Sequence, residues 1–177
     1  MELSGKEVKD ALEMSYSLWT NQMKSPDDHL LLLRKKRRDG ANDRASFQNF
    51  SFNFDSAAGI IYTVDVTKPN KEKVTIISMA DGTPFSMDKM YKVALNSYRG
   101  NGGGELLTKG AGISQDELKD RILFSTDKDL RYYLMQYIEK KGVIEPYALG
   151  QWKFVPEEWT VPAAKRDYEY LFGKVEK

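Results

Sequence analysis

Apolar residues near the start of the chain recur at helical spacing, directly after a local signal for a helix start. The apolar positions are Val8, Leu12, Tyr16 and Trp19. Steps of three and four residues place such positions on one face of an α-helix. The preceding residues 4–7, SGKE, form a Ser-x-x-Glu capping box, in which each side chain binds the other residue's backbone amide. The pattern predicts an amphipathic helix that ends near Asn21. Residues 1–3, which precede it, are predicted to be the end of a strand.

Three segments in the middle of the chain have the composition of β-strands. Residues 57–66 (AAGIIYTVDV) alternate and are rich in β-branched side chains, and residues 74–79 (VTIISM) and 91–96 (YKVALN) follow after short polar turns. Links of this length join antiparallel neighbours, because parallel strands need a longer crossover. The pattern predicts a hairpin of the first two segments, followed by a third strand.

The second half of the chain is predicted to be more helical. Residues 114–117, SQDE, repeat the capping box before a short helix, and residues 125–142 have acids in the first turn, lysines in the last turn and Gly142 as a stop. The stripe of the second helix that we expect to be buried consists of Leu130, Leu134, Tyr137 and Ile138. The tail, 151–173, is expected to contain a short strand, a proline-bounded linker and a final helical turn. Together these elements predict an α+β fold, with a mixed, partly antiparallel sheet and helices packed on it.

The composition is that of one globular domain over residues 1–177. Hydrophobic residues make up 41% and charged residues 30% of the chain, and the net charge is +1. A balance this close to neutral gives no field that would favour nucleic acid or an acidic membrane surface, so we expect no nucleic-acid partner. The longest apolar run, at residues 30–33, is far too short for a membrane span. With no cysteine, the chain has no disulfide and no zinc–thiolate site.

The titratable residues do not form a recognisable catalytic set. The chain has one histidine, His29, and no G-x-S-x-G motif, whereas metal-dependent hydrolases use several His and carboxylate ligands. The candidate carboxylates for acid–base chemistry are Asp55, Asp81, Asp88 and Glu105. Their spacing does not single out a pair. We therefore expect no catalytic residue, no metal site and no cofactor in this chain, and we expect His29 to be a loop residue.

A run of five basic residues at positions 34–38, RKKRR, is the one local charge cluster. Such a run can bind nucleic acid or act as a localisation signal. Acidic residues flank it on both sides, and no aromatic residues are interleaved with it. A solvated loop is the favoured interpretation.

The most unusual stretch is the glycine-rich segment 96–107, NSYRGNGGGELL, which follows a predicted strand. A phosphate loop is one interpretation, but the segment lacks the Lys-Ser/Thr pair of that motif, and Glu105 breaks a G-x-G-x-x-G pattern. A plain tight turn is a second interpretation. The third, which we favour, is a surface that lets a flat ligand approach, with Tyr98 as the stacking face.

A second aromatic cluster precedes the first strand of the hairpin. It contains Phe47, Phe50, Phe52 and Phe54. Clustered aromatics are usually part of a core, but Phe54 is followed by Asp55, Ser56 and small residues, which places it at the mouth of the sheet. Two aromatic rings on separate loops can sandwich a base, and each such stack is worth about 1–3 kcal/mol in nucleic-acid systems.

Both segments belong to longer runs that resemble a known domain. Residues 51–66 (SFNFDSAAGIIYTVDV) and 81–107 (DGTPFSMDKMYKVALNSYRGNGGGELL) look like the C-terminal, nucleotide-binding domain of the 5′-nucleotidase family. That family includes UDP-sugar hydrolases and 2′,3′-cyclic-nucleotide phosphodiesterases. Residues 2–15 and 125–138 resemble the helices before and after these elements. The resemblance extends from about residue 1 to residue 146, so we expect a core at 1–146 and a C-terminal extension at 147–177.

The resemblance implies a nucleoside site. The two base-stacking aromatics of the family correspond to Phe54 and Tyr98, and a nucleotide or nucleoside is the implied ligand. The other implied contacts are Ser56, Asn101, Gly102, Gly103, Gly104 and Glu105. Family members usually have an aspartate that binds the ribose hydroxyls where this chain has Gly104. Glu105 could substitute for it, but it would point in another direction.

The resemblance also implies that functional parts lie outside this chain. An Asn-Gly-Gly-x-x-Arg segment and a two-metal metallophosphatase domain are expected from the family, and the divalent metals and the hydrolysis would belong to that domain. The chain would then be the substrate-binding portion of a periplasmic or cell-surface nucleotide hydrolase. The alternative is a degenerate interaction module that keeps the fold, binds no nucleotide and dimerises through exposed surface.

Overall fold

The computed structural model describes residues 1–34 and 46–173. Its helices are α1 (Gly5–Trp19), α2 (Ser97–Gly100), α3 (Glu117–Asp120), α4 (Leu130–Lys141) and α5 (Glu157–Phe172). Its strands are β1 (Glu2–Ser4), β2 (Leu33–Arg34), β3 (Ser46–Phe47), β4 (Ile60–Asp65), β5 (Val74–Met79), β6 (Met90–Lys92) and β7 (Trp152–Val155). The basic run is outside the described residues from position 35 onward, so its interpretation stays a prediction.

Helix α1 begins where its sequence predicts. The Ser4 hydroxyl accepts a hydrogen bond from the Glu7 amide at 3.2 Å, and the Glu7 carboxylate accepts one from the Ser4 amide at 2.6 Å. This reciprocal pair is the predicted capping box, which satisfies amides that a helix start leaves without partners. The helix ends at Trp19, two residues before the predicted end.

The central sheet has three strands in the order β5-β4-β7. Strand β5 pairs with β4 in an antiparallel hairpin, as the sequence predicts, whereas β7 returns from the end of the chain to pair with β4 in parallel. The residues of β4 alternate between buried and partly buried, so one face packs against α1. The sheet is therefore mixed, and the fold is α+β.

Two tyrosines form the centre of the main core. Tyr16 of α1 and Tyr62 of β4 are both almost fully buried, and their hydroxyl oxygens are 2.9 Å apart. The hydrogen bond between them removes the cost of burying two hydroxyls without partners. Trp152 of β7 completes the cluster, with its ring 5.4 Å from that of Tyr16 and stacked on that of Tyr62.

The third predicted strand is shorter than expected and lies elsewhere. Only Met90–Lys92 is extended as β6, and it pairs antiparallel with β1 in a separate two-stranded ribbon. The helix-capping residue Asn96 and the turn after it end the extended backbone. As a result, the glycine-rich segment starts beside the N-terminal ribbon.

Helix α5 corrects the prediction for the tail. The sequence predicts a linker and one final turn, because Pro162 lies in the segment; instead a continuous helix runs from Glu157 to Phe172 with Pro162 inside it. Proline in a helix interior costs about 3 kcal/mol. Tertiary packing offsets that cost, because Ala163 and Asp167 are buried. Asp167 accepts a hydrogen bond from the Leu31 amide at 2.8 Å and pairs with the ring of His29, which lies in a loop.

Helix α4 corrects a second prediction. Its end at Lys141 and its Gly142 stop agree with the sequence pattern, but it begins at Leu130 with Asp129 as N-cap, later than the pattern over residues 125–142 predicts. The stripe expected to be buried is exposed: Leu130 by 76%, Leu134 and Tyr137 by 53% and Ile138 by 40%. The sequence pattern establishes that this helix has an apolar face, but it does not establish what covers that face.

Two buried charged side chains, Lys73 and Glu13, lie beside α1, and sequence patterns alone do not reveal their burial. The Lys73 ammonium is fully buried and donates hydrogen bonds of 2.9–3.0 Å to the Thr20 and Asn21 carbonyl oxygens and to the Thr20 hydroxyl. Glu13 is also buried and accepts hydrogen bonds from the Lys73 and Val74 amides. Lys73 thus satisfies carbonyls that the helix end leaves open.

This arrangement predicts a pH dependence of stability. Burial lowers the pKa of the Lys73 ammonium to about 8, although the nearby Glu13 carboxylate partly offsets the effect. Between pH 8 and the ordinary lysine pKa of 10.5, the unfolded chain binds the proton that the folded chain releases. The free energy of unfolding should therefore rise with pH from about 8, by at most about 1.4 kcal/mol per pH unit.

The rise should end near pH 10. Burial raises the pKa of the Tyr16 and Tyr62 hydroxyls above the ordinary value of 10.0, so near this pH the tyrosines ionise in the unfolded chain alone. Their ionisation favours unfolding and opposes the effect of Lys73. Urea titrations between pH 7 and 9.5 measure the slope, with Lys73→Met as the variant that should lack it. A wild-type curve as flat as that of the variant would contradict the assignment.

None of the described helices is both long and apolar enough to cross a bilayer.

Candidate functional site

The glycine-rich segment folds into a series of tight turns. Asn96 caps the single turn of α2 by accepting a hydrogen bond from the Arg99 amide at 2.8 Å. Gly102 and Gly104 have φ angles of 87° and 70°, and Glu105 has a φ of 62°. Only glycine adopts such angles without cost, so the run of glycines allows the chain to reverse twice before Leu106 and Leu107 enter the core.

Tyr98 lies flat on this turn. A Cβ atom added to Gly103 would be 2.5 Å from two carbons of the Tyr98 ring, so the ring packs directly on the glycine backbone. Its hydroxyl donates a hydrogen bond to the Asn53 side-chain oxygen at 3.2 Å, and the Arg99 guanidinium is 5.2 Å from the ring centroid. The ring remains 48% exposed, which leaves aromatic surface for a ligand.

Arg99 connects the turn to the aromatic segment. Its side chain is almost fully buried and makes a bidentate pair with Asp55, with Nε 2.6 Å from Oδ2 and Nη2 2.8 Å from Oδ1. Further hydrogen bonds run to the Phe52 and Gly103 carbonyl oxygens and to the Asn53 side chain. The paired planes of the Arg99 guanidinium and the Asp55 carboxylate fix both the distance and the orientation of the glycine-rich turn relative to the aromatic segment.

Gly104 has a physical explanation in this geometry. A Cβ atom at this position would be 2.0 Å from Nη1 of Arg99 and 2.7 Å from the Asn53 side-chain oxygen. The space that a side chain at position 104 would need is thus filled by the guanidinium. As long as Arg99 keeps this position, residue 104 has to be glycine, and the aspartate that the resemblance implies here would not fit.

The four phenylalanines of the aromatic segment separate into two pairs. Phe54 and Phe47 are partly buried, with rings 5.2 Å and 4.8 Å from Trp19, and Phe54 also packs edge-on against Tyr16. Phe50 and Phe52 stack on each other with centroids 5.4 Å apart and are 72% and 66% exposed. Packing therefore covers much of the Phe54 ring, which the resemblance implies stacks on a base. The rings that face solvent are those of Phe50 and Phe52.

Two clefts border the turn. The smaller, of about 200 Å³, is lined by residues that include Phe50, Asn53, Gly104 and Glu105. The larger, of about 480 Å³, is mainly apolar and includes Asp55, Ser56 and Arg99 at its edge. Ser56, predicted as a ligand contact, thus lines the larger cleft and is not among the residues that line the smaller one.

The remaining predicted polar residues have partners of their own. The Asn101 carbonyl accepts a hydrogen bond from Gln115 at 2.9 Å, and Glu105 forms an exposed ion pair with Lys109 at 2.8 Å. Asp81 accepts hydrogen bonds from the hydroxyl and amide of Thr83, which lower its pKa, as expected of a carboxylate that stays ionised in its own turn. Within residues 1–34 and 46–173, no three His, Asp or Glu side chains are grouped to hold a metal ion.

The comparisons with known proteins define the class of this chain. Residues 1–109, more than half of the chain, match the family model "5′-nucleotidase, C-terminal domain". The chain therefore belongs to the family of 5′-nucleotidase C-terminal domains.

Two relatives agree with this assignment. The chain is 30% identical to the trifunctional nucleotide phosphoesterase protein YfkN of Bacillus subtilis, over 90% of this chain and 10% of the relative. It is 25% identical to a 2′,3′-cyclic-nucleotide 2′-phosphodiesterase/3′-nucleotidase of Haemophilus influenzae, over 88% of this chain and 23% of the relative. The chain thus spans a tenth to a quarter of these relatives.

The fold is similar to that of a crystal structure described as a 5′-nucleotidase from Staphylococcus aureus in complex with alpha-ketoglutarate. The TM-score is 0.54 at 19% identity, over 87% of this chain and 26% of that one. At this identity the similarity concerns the fold alone.

Proposed function

We propose that this chain is the substrate-binding part of a nucleotide hydrolase and that it binds a nucleoside base on the ring of Tyr98. The observation that carries the proposal is the half-exposed Tyr98 ring, fixed on the Gly103 backbone and hydrogen-bonded to Asn53. A rigid, exposed aromatic face costs little entropy when a flat ligand stacks on it. Membership in the nucleotidase family makes a nucleotide or nucleoside the chemical class that fits.

The second aromatic wall is proposed to come from the segment that Arg99 ties to the turn. Phe54 is the wall expected from the resemblance. Phe50 competes for this role, because it is exposed and lines the smaller cleft together with Gly104 and Glu105, whereas Phe54 packs on Tyr16 and Trp19. In either case the ligand lies between the glycine turn and the 50–55 segment, with Asn101, Gly102 and Gly103 beside it.

Hydrolysis is proposed to take place on a metallophosphatase domain of the same or an adjacent polypeptide, which would also hold the divalent metals. The proposal is supported by the family and by the two relatives, which are described as nucleotide phosphoesterases and are far longer than this chain. Location in the periplasm or at the cell surface follows from the same resemblance. Fractionation of cells that produce the whole protein tests that location.

Titration with adenosine, uridine and AMP tests the site. Amide signals of residues 96–105 should shift, and Tyr98→Ala should weaken binding by about tenfold to a hundredfold, since one stacked base is worth about 1–3 kcal/mol. Tyr98→Phe keeps the ring and loses only the hydrogen bond to Asn53, so its affinity should stay within a few-fold of the wild type. Tyr147→Ala, at a position that is 82% exposed, serves as the control for removing a tyrosine.

The same titration distinguishes the two candidate walls. Phe50→Ala should leave stability unchanged because the ring is exposed, and a loss of affinity in that variant assigns the wall to Phe50. A loss of affinity in Phe54→Leu alone assigns it to Phe54. If no ligand shifts the signals of the folded chain, or if Tyr98→Ala binds as tightly as the wild type, the proposed site is wrong.

The second candidate is an interaction module without nucleotide binding. One observation favours it: the family's ribose-binding carboxylate is replaced by Gly104, and Arg99 fills the space beside it. Under this alternative the chain folds and associates but does not respond to any nucleoside.

A further inference from the structure

Two asparagine side chains, Asn49 and Asn53, line the smaller cleft. A side-chain amide has an oxygen that accepts hydrogen bonds and a nitrogen that donates them. The partner of each amide shows which of its two atoms is the oxygen. In both asparagines one atom is held by a protein group that can only donate or only accept, so the identity of the other atom follows.

The amide of Asn53 offers a donor. Its Oδ1 accepts hydrogen bonds from the Tyr98 hydroxyl at 3.2 Å and from Arg99 Nη1 at 3.3 Å. A guanidinium only donates, so the amide atom beside Arg99 has to be the oxygen. Within residues 1–34 and 46–173, no group accepts a hydrogen bond from Asn53 Nδ2. The nitrogen is therefore available to a ligand.

The amide of Asn49 has the opposite polarity. Its Nδ2 donates a hydrogen bond to the Leu18 carbonyl oxygen at 2.6 Å. A backbone carbonyl only accepts, so the amide atom that it holds has to be the nitrogen. No residue of the described part of the chain donates to Asn49 Oδ1. The smaller cleft thus has one donor and one acceptor that the described residues leave for a ligand.

The rest of the lining favours a flat ring over a sugar. Met14 and Leu18 of α1 and the ring of Phe50 are apolar, and Gly104 adds bare backbone. A heterocycle can place its apolar faces on such side chains and its polar edge on the two amides, whereas a sugar would turn hydroxyls toward apolar groups at a cost. Pockets for drug-sized ligands measure about 300–1,000 Å³, so a cleft of about 200 Å³ suits one base and not a whole nucleotide.

We propose that the smaller cleft recognises the hydrogen-bonding edge of the base, with Asn53 Nδ2 as donor to a ring nitrogen or carbonyl and Asn49 Oδ1 as acceptor from an amino or imino group. The inference rests on the proposed function, in which Tyr98 provides the stacking face. The Tyr98 hydroxyl contacts Asn53, so a base whose polar edge points toward that hydroxyl reaches the two amides. Proteins commonly recognise unpaired bases through this edge.

Comparison of adenosine with purine riboside tests the acceptor. The two nucleosides share the sugar and the ring system, but only adenosine has the amino group that would donate to Asn49. The wild type should bind adenosine about threefold to tenfold more tightly in an NMR titration, which is the effect of one hydrogen bond. Asn49→Leu removes the acceptor and should bind the two nucleosides equally.

Asn53→Asp tests the donor. The substitution keeps an oxygen for Tyr98 and Arg99 and replaces the donor by a second acceptor, so the cleft should then match the adjacent N1–H and amino groups of guanine. The ratio of guanosine affinity to adenosine affinity should rise at least about tenfold. Asn70→Asp makes the same change at an exposed position between β4 and β5 and should leave the ratio unchanged.

The outcomes separate this inference from the proposed function. Equal binding of adenosine and purine riboside to the wild type, which needs no variant, would overturn the edge recognition. An adenosine preference that persists in Asn49→Leu, or an affinity ratio that a folded Asn53→Asp leaves unchanged, would also overturn it. If Tyr98→Ala still weakens binding in these cases, the stacking site stands. If no nucleoside binds the wild type, both proposals are wrong.

Discussion

Replacing Arg99 with methionine should lower the free energy of unfolding by about 2 kcal/mol, since several hydrogen bonds to a buried guanidinium are lost while the one-third-exposed Asp55 carboxylate regains part of its hydration. Methionine has a similar length and no charge, so the Asp55 carboxylate and the Phe52 and Gly103 carbonyls would lose their shared donor. Urea denaturation measures the change. Binding of any ligand to the turn should be lost as well, because Arg99 holds both sides of the site.

The matched control is Arg131→Met. Arg131 pairs with Asp129, but their side chains are 89% and 60% exposed, and pairs of this kind contribute at most about 1 kcal/mol. If Arg99→Met were no more destabilising than Arg131→Met, the Arg99–Asp55 pair would not be what joins the two segments. Asp55→Asn completes a double-mutant cycle, and its effect should not add to that of Arg99→Met.

Gly104→Asp introduces the aspartate that the resemblance implies at this position, but it should not produce a ribose site. The new Cβ would be 2.0 Å from Arg99 Nη1, and the backbone φ of 70° is one that side chains other than glycine rarely adopt. The variant should lose about 2–3 kcal/mol of stability, from backbone strain and from displacement of the guanidinium. Thermal unfolding measures the loss, and a nucleoside titration shows whether affinity changes.

Gly104→Ala isolates the effect of the added Cβ from that of the carboxylate. It adds the same Cβ without a carboxylate, so it should destabilise the fold about as much as Gly104→Asp. If the aspartate variant were as stable as the wild type and bound nucleosides more tightly, Arg99 would have moved to accommodate it, and the explanation for Gly104 would fail.

Elements encoded by neighbouring residues were predictable from the sequence. The capping box of α1 involves residues three apart, and the β4–β5 hairpin follows from two β-branched runs with a short turn between them. In both cases the pattern and the contacts that it produces lie within the same short segment. These parts of the fold therefore agree with their predictions.

Features that depend on distant partners were not predictable in the same way. Arg99 and Asp55 are 44 residues apart, and a sequence does not indicate which of many arginines and aspartates will meet in a buried pair. The burial of Lys73 has the same explanation, because its acceptors lie at the end of α1. Gly104 is the one case in which neighbouring residues carried a signal. A third consecutive glycine indicates that a nearby group leaves no room for a side chain at that position.

The parallel pairing of β4 with β7 has a consequence for synthesis on the ribosome. Tyr62 pairs with Trp152, so the central sheet lacks one strand until β7, 90 residues further along the chain, has been made. During that time the nascent chain exposes the backbone of β4 along one edge, and an unpaired edge can add strands from other molecules. Pairing over such a long separation also slows folding. We therefore expect chaperones to bind the growing chain after β5 emerges and to release it once α5 is complete.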